Sequence, residues 1–264
     1  MELRELCKDV YTIAKEAGSM IRNNLNHIAS DEIKNKGLHD FVTYVDLNSE
    51  KLIINRLREI LPESGFITEE KTLQKQHDLY NWIIDPLDGT TNYIHGVSPF
   101  AVSIALMEKD EIVLGVVYEI SHDECFNAVK DEPAFLNGKT IHVSDCKNIE
   151  NALISTGFPY SDFIRLDPFI NSLKYFMKNS HGVRRHGSAA TDLAYVASGR
   201  FDAFYEYGLN PWDVAAGAII VKQAGGFVSD FNGKNNYIFG KEIIASNLKL
   251  SNEFQKKVSD FMNS

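Results

Sequence analysis

Trp82-Ile83-Ile84-Asp85-Pro86-Leu87-Asp88-Gly89-Thr90-Thr91-Asn92 is the stretch on which the reading of this 264-residue chain turns. Trp-Ile-Ile has the bulk and β-branching of a buried strand end. Asp85-Pro86 then interrupts the ladder, because Pro86 has no N–H to donate and holds Asp85 extended. A tight turn brings Asp85 and Asp88 together with the Leu87 carbonyl free between them. Two carboxylates and a carbonyl are hard oxygen donors of the kind that Mg²⁺ selects. Gly89-Thr90-Thr91 next offers backbone N–H groups at an expected helix start, where an anion can rest. A plain Asp-Pro turn, with Asp88 or Thr90 as a helix N-cap, would account for the same residues. The rest of the chain has to decide.

Working outward, the first thirty residues carry one apolar stripe: Leu3, Leu6, Val10, Ile13, Ala17, Ile21, Leu25 and Ile28 recur at three- and four-residue steps. A second helix is expected over Leu47–Leu61, stopped by Pro62. Lys34–Asp46 reads as a polar loop with a short strand at Phe41–Val45. Strands are expected at Gly65–Thr68, Trp82–Ile84, Ala101–Met107, Ile112–Tyr118 and Cys125–Val129, joined by short acidic turns as in an antiparallel meander. Asn137-Gly138 signals a turn before Thr140–Val143. The second half mixes strands (Ala152–Thr156, Phe201–Tyr205, Phe227–Asp230, Ile243–Ala245) with helices (Leu166–Met177, one opening at Gly187-Ser188 and ended by Gly199, Trp212–Ala224, Asn252–Met262). No linker or repeat divides the chain. The expectation is one compact α+β or α/β unit of two halves, 1–147 and 148–264.

Hydrophobic residues make up 44% and charged residues 24%, the balance of a folded protein. No apolar run reaches the ~18–20 residues that span a bilayer, and the N-terminus opens with acids rather than an apolar core. Three scattered cysteines, Cys7, Cys125 and Cys146, suggest neither a disulfide framework nor a zinc ribbon. A cytoplasmic chain is expected. Its 27 Lys and Arg against 36 Asp and Glu leave a net charge of −9, which repels nucleic acid and anionic membrane. Acids in such excess either cover the surface or gather around cations.

Two further places in the chain bear on the choice. Glu69-Glu70 ends the Phe66-Ile67-Thr68 strand, where a solvated loop start is the plainer reading. Asp213, in Asn210-Pro211-Trp212-Asp213-Val214-Ala215-Ala216-Gly217-Ala218, opens a helix apolar on nearly every side. An N-cap or first-turn dipole role is available to it. Yet a carboxylate entering a core needs a partner, and no Lys or Arg lies near it in sequence.

These residues carry a resemblance. Asp85-Pro86-Leu87-Asp88-Gly89-Thr90-Thr91-Asn92, with Trp212-Asp213-Val214-Ala215-Ala216-Gly217 through Gly225-Gly226, resembles the paired signature of the inositol monophosphatase family. Lys36-Gly37-Leu38-His39-Asp40-Phe41-Val42-Thr43-Tyr44-Val45-Asp46, Thr68-Glu69-Glu70 and Gly187-Ser188-Ala189-Ala190-Thr191-Asp192-Leu193-Ala194 agree with it, in chain order. Thr68 departs from the Gly that the family commonly has before its Glu-Glu pair. The resemblance implies a layered α-β-α-β-α sandwich and a Mg²⁺-dependent, lithium-sensitive phosphomonoesterase. It implies that Asp85 bridges two Mg²⁺ ions, that Glu69 and the Leu87 carbonyl complete one site and Asp88 and Asp213 the other, and that a third ion leans on Glu69 through water. The N–H groups of Gly89 and Thr90 would support the phosphoryl group, while Asp46 and the Thr90 hydroxyl orient and deprotonate the attacking water. Asp46 could also be only the N-cap of the helix that follows it.

The same resemblance assigns the substrate's alcohol to the second half: Gly187, Ser188 and Ala189 at a helix start, Glu206 accepting from hydroxyls, and Asp213 facing metal and hydroxyl alike. Arg184-Arg185 reads as a solvated basic pair or an interface contact. The histidines show no ligand spacing, and His95 is a neighbour of the motif rather than a ligand. The expected substrate is a small polyol or sugar phosphate monoester, myo-inositol monophosphate first. Fructose 1,6-bisphosphate or NADP⁺ on the same fold are alternatives, and a regulator of the transcription machinery stands further off. A homodimer is expected, with Phe158, Tyr160, Phe163 and Phe169 as apolar surface candidates.

Overall fold

The computed structural model describes residues 2–25, 34–37, 40–42, 44–73, 75–160 and 162–263, with 34–37 and 40–42 described by backbone alone. The N-terminal stripe forms α1, Leu3–Asn23, which buries Leu6, Val10, Ile13, Ala17 and Ile21. Ile28 of that stripe, and Leu38, His39 and Thr43 of the following motif, lie outside the described residues. Next come two short antiparallel strands, β1 (Lys34–Gly37) and β2 (Asp40–Val42), and then α2, Tyr44–Ile60. The strand expected over Phe41–Val45 is therefore shorter, and Val45 is already helical. Helix α2 also starts three residues early, so Asp46 lies inside its first turn rather than capping it from outside.

Strands β3 (Gly65–Thr68), β4 (Tyr80–Asp88), β5 (Ala101–Glu108), β6 (Glu111–Glu119), β7 (Glu124–Val129), β8 (Phe135–Leu136) and β9 (Lys139–Thr140) form one seven-stranded sheet in chain order. β3 and β4 run parallel and every later pair is antiparallel, as the short turns require. A five-residue helix, α3 (Thr90–Ile94), follows β4. Asp85-Pro86 does not end β4. The strand continues to Asp88 through a bulge: Asp85 pairs with Ser103 and Asp88 with Ala101, three steps against two.

The second sheet holds β10 (Leu153–Thr156), β11 (Gly182–Arg184), β12 (Ala203–Tyr207), β13 (Gly226–Ser229) and β14 (Glu242–Asn247) in the order β11-β10-β12-β14-β13. β10 lies parallel to both β11 and β12, and the β12-β14-β13 side is antiparallel. β11 has no expected counterpart. The helices of this half are α4 (Leu166–Asn179), α5 (Ala189–Ala197), α6 (Pro211–Gln223) and α7 (Ser251–Met262).

Three apolar cores order these parts into α-β-α-β-α layers. α1 and α2 cover one face of the large sheet through Val10, Ile13, Ile53 and Leu57 against Trp82, Ile84, Leu114 and Val116. α5 and α6 fill the space between the two sheets, packing Leu193, Ala216 and Ile220 among Ile83, Val117, Phe204 and Ile243. α4 and α7 cover the far face of the small sheet with Phe169, Phe176, Phe254 and Val258. A helix sandwiched between sheets has no face for water, which is why α6 buries all of Val214–Val221. Gly217 lets α5 and α6 touch: a Cβ there would stand 2.5 Å from that of Leu193. Each fully buried Leu, Ile or Phe contributes roughly 1.5–3 kcal/mol of transfer free energy. Phe169, expected at the surface, is 1% exposed and packs its ring on Tyr205 and Tyr207. Its place on α4 faces the small sheet, whereas Phe158, Tyr160, Phe163 and Ile164 in the preceding loop are exposed. No helix among the described residues is long and apolar enough to cross a membrane.

Candidate metal and phosphate site

Parallel pairing of β3 and β4 puts Thr68 beside Ile84, so Glu69, just past the end of β3, and Asp85, still within β4, come to the same end of the sheet. The Glu69 N–H donates to the Ile84 carbonyl at 3.3 Å. The bulge then turns the chain so that Leu87 N–H donates back to Asp85 Oδ1 at 2.9 Å. Gly89 follows with φ +89°, a left-handed conformation costly for any residue with a side chain, and α3 starts directly after it. The Thr90 hydroxyl stands 3.0 Å from both Asp46 Oδ1 and the Leu87 carbonyl. It has one proton, so it serves one acceptor at a time and keeps a lone pair toward the cavity.

The second half of the chain closes the site. Asp88 Oδ2 accepts from Ser188 Oγ at 2.6 Å and from the Ala190 N–H at 2.8 Å, at the N-terminus of α5. Asp213, in the first turn of α6, accepts from the Asn210 N–H at 2.7 Å. The capping role open to Asp213 is thus real, and the same carboxyl also borders the acids of the first half. Glu206, on β12, is 7% exposed and faces Gly157, where a Cβ would sit 1.9 Å from its carboxyl. These groups line a cavity of about 740 Å³ that includes Glu69, Asp85, Leu87, Asp88, Gly89, Thr90, Gly187, Ser188, Ala189, Glu206 and Asp213.

The acids press on one another. Burial, then Glu69, Asp88 and Asp213, hold the Asp85 carboxyl well above the usual carboxylate range. Burial pushes Asp88 up to about 6 against the pull of Ser188 and the Ala190 N–H. Burial and Asp88 push Asp213 up to about 7. Glu206 is raised well above its ordinary value by burial, then by Asp192, Asp213 and Asp88. Charged together, such groups need cations close by. Hard oxygens with a main-chain carbonyl among them fit Mg²⁺ rather than a softer metal. Among the described residues no three His, Cys, Asp or Glu side chains already close on one point, so carbonyl and water oxygens would have to share the coordination.

Four features of the site escaped the sequence. Arg185 lines the cavity, its guanidinium stacked 5.4 Å from the Phe158 ring and 5.5 Å from that of Tyr160, to whose hydroxyl it donates. Its neighbour Arg184 is the exposed one. Asp192 is a buried acid on α5, held well above the usual range by burial and Asp88, and its place in an otherwise apolar helix was a signal. Thr68 is buried with no hydrogen-bond partner for its hydroxyl. Glu50, on α2, accepts from two N–H groups in the loop after β3.

A sequence model of the inositol monophosphatase family matches residues 2–262. A curated relative from Pseudomonas aeruginosa, Nus factor SuhB, is 42% identical over 241 residues, 89% of each chain. Among solved structures, the extragenic suppressor protein suhB of Bartonella henselae superposes with a TM-score of 0.92 at 37% identity, covering 96% of this chain and 98% of the other. The inositol monophosphatase from Anabaena superposes with a TM-score of 0.88 at 32% identity, covering 99% of this chain and 98% of that one.

Proposed function

Because the chain belongs to the inositol monophosphatase family, we propose that it is a Mg²⁺-dependent hydrolase of a small polyol phosphate monoester, with myo-inositol monophosphate the leading substrate. One observation carries this reading: acids from both halves of the chain share one cavity with a Thr–Asp hydrogen bond. Glu69, Asp85 and the Leu87 carbonyl would hold one ion, and Asp85, Asp88 and Asp213 a second, with Glu69 reaching a third through water. Bound there, the ions would neutralise phosphoryl charge and lower the pKa of a coordinated water.

The chain's own groups divide the remaining work. Thr90 can accept from the attacking water through its free lone pair while its own proton goes to Asp46, 3.0 Å away. Asp46 is fully buried on α2 and so holds that hydroxyl in a fixed direction. The N–H groups of Gly89 and Thr90 would donate to the phosphoryl oxygens. Gly187, Ser188 and Ala189 present little side chain, which lets a polyol approach the backbone. Glu206 would bond the hydroxyls of the alcohol, with Asp213 as a neighbouring acid.

Quaternary structure and a second role belong to the same proposal. The exposed Phe158, Tyr160, Phe163 and Ile164, near one another in sequence, offer apolar surface for a homodimer, measurable by sedimentation at micromolar concentration. The name Nus factor, borne by the Pseudomonas relative, favours an added non-catalytic role with a protein of the transcription machinery. Its acidic balance argues against direct nucleic-acid binding by this chain, and a cytoplasmic place suits its three free cysteines. The deciding experiment is a panel of esters (inositol 1-phosphate, fructose 1,6-bisphosphate, NADP⁺ and p-nitrophenyl phosphate) assayed with Mg²⁺, with added lithium and with EDTA. Turnover of none with Mg²⁺, or full turnover in EDTA, sinks the reading.

A further inference from the structure

Helix α2 touches every segment of the site that the first half contributes. Asp46 accepts from Thr90, Ser49 Oγ donates to the Pro86 carbonyl at 3.0 Å, and Glu50 reaches the loop after β3. All three side chains are fully buried. The Glu50 contact has a specific form: Oε2 accepts from the Glu70 N–H at 2.8 Å and Oε1 from the Thr72 N–H at 2.7 Å. Both carboxylate oxygens are thus spent on two amides that flank Lys71. Lys71 has φ +56°, a left-handed conformation that a lysine adopts at a cost. A turn of that kind persists only when its surroundings hold it, and the buried carboxylate of Glu50 does so from one side.

The turn begins next to Glu69, which would hold metal in the proposed function. We infer that Glu50 is a positioning residue: its two-point grip on Glu70 and Thr72 sets where Glu69 stands, and with it the site's affinity for a divalent cation. The inference rests on the metal-dependent reading above. It goes further in assigning the geometry of a ligand to a residue on another element that touches neither ion nor ester. Groups that orient metal ligands from behind typically change affinity about 10–100-fold when altered.

The test measures binding without turnover. Metal-stripped, full-length protein is titrated with Mn²⁺ by calorimetry, and amide exchange is followed at Glu70 and Thr72. Glu50→Gln keeps the shape but replaces one acceptor by an NH₂ that faces an N–H. It should weaken Mn²⁺ about 10–100-fold and speed exchange at Glu70 and Thr72. Glu50→Asp, with the charge retracted by one methylene, should fall between Gln and wild type. Leu57→Ala, a core truncation on the same helix, should lower the melting temperature at least as much and leave Mn²⁺ affinity within about twofold. A Gln variant that binds Mn²⁺ like wild type overturns the inference alone, as does an equal loss from Leu57→Ala. Wild type that binds no Mn²⁺ overturns the inference together with the metal-dependent reading.

Discussion

Gly157→Ala puts the proposed alcohol pocket under direct strain. The new Cβ would lie 1.9 Å from Cδ and Oε1 of Glu206, against the 3.4–4 Å of ordinary contact, so the carboxyl must retreat by about 1.5 Å. Gly157 does not have a positive φ, so alanine brings no backbone penalty and the effect belongs to the collision. Glu206 borders the cavity through the flexible end of its side chain, so the carboxyl can swing aside, but it cannot keep the position it holds beside Gly157. Overpacking of this kind costs about 1–3 kcal/mol, a few degrees in melting temperature for a chain of this size. A hydrogen bond to a charged partner contributes about 1.5–3 kcal/mol, so losing the one between Glu206 and a substrate hydroxyl raises KM roughly 10–150-fold. The alcohol contact exists before and during reaction, so kcat should change less than KM. p-Nitrophenyl phosphate has no hydroxyls for Glu206 and should keep most of its kcat/KM. Steady-state assays of both esters, with a melting curve, decide the matter. Equal losses on the two esters would refute a role for Glu206 in holding the alcohol, and an unchanged protein would refute the packing argument itself.

Other outcomes follow from the same geometry. Asp85→Asn should fold normally yet lose activity by about two or more orders of magnitude, because the acid at the centre of the cluster can no longer balance cation charge; full turnover in the folded variant would count against the two-ion reading. In metal-free protein Asp88 and Asp213, raised to about 6 and about 7, hold protons that the unfolded chain releases near pH ~4. Stability from these groups is therefore fully present below about pH 4 and lost progressively as pH rises from there through 6 and 7. The melting temperature of EDTA-treated protein should fall from pH 5 to pH 8 and the gain on adding Mg²⁺ should grow; a pH-independent gain would disprove the linkage. Burial pushes the Cys7 thiol up to about 12 and holds that of Cys125 well above its ordinary value, while Cys146 is partly exposed. Native protein should thus show one thiol reactive toward a disulfide reagent, absent in Cys146→Ser, and unfolded protein three.

Local chemistry was readable from the chain. Trp82 to Asn92 carries its own turn, because Pro86 and Gly89 restrict or free the backbone wherever they stand, and the acids around them are neighbours in sequence. The α1 stripe announced a covered face through its periodicity, and α6, apolar on nearly every side, announced a buried helix. Identity of the family was carried by five such stretches in order. Tertiary structure decided what depends on partners far along the chain. Whether Asp-Pro ends a strand or bulges it depends on β5, which supplies the continuing ladder. Burial of Phe169 depends on the small sheet beneath α4, and the contrast between Arg184 and Arg185 on the direction in which the chain leaves β11. β11 itself is three residues long, too short for alternation to mark it. The grip of Glu50 on Glu70 and Thr72 pairs one side chain with two amides twenty and twenty-two residues away. Periodicity records which face of an element meets oil or water. It holds no record of which distant N–H a buried carboxylate will meet, and that pairing is set only when the layers close.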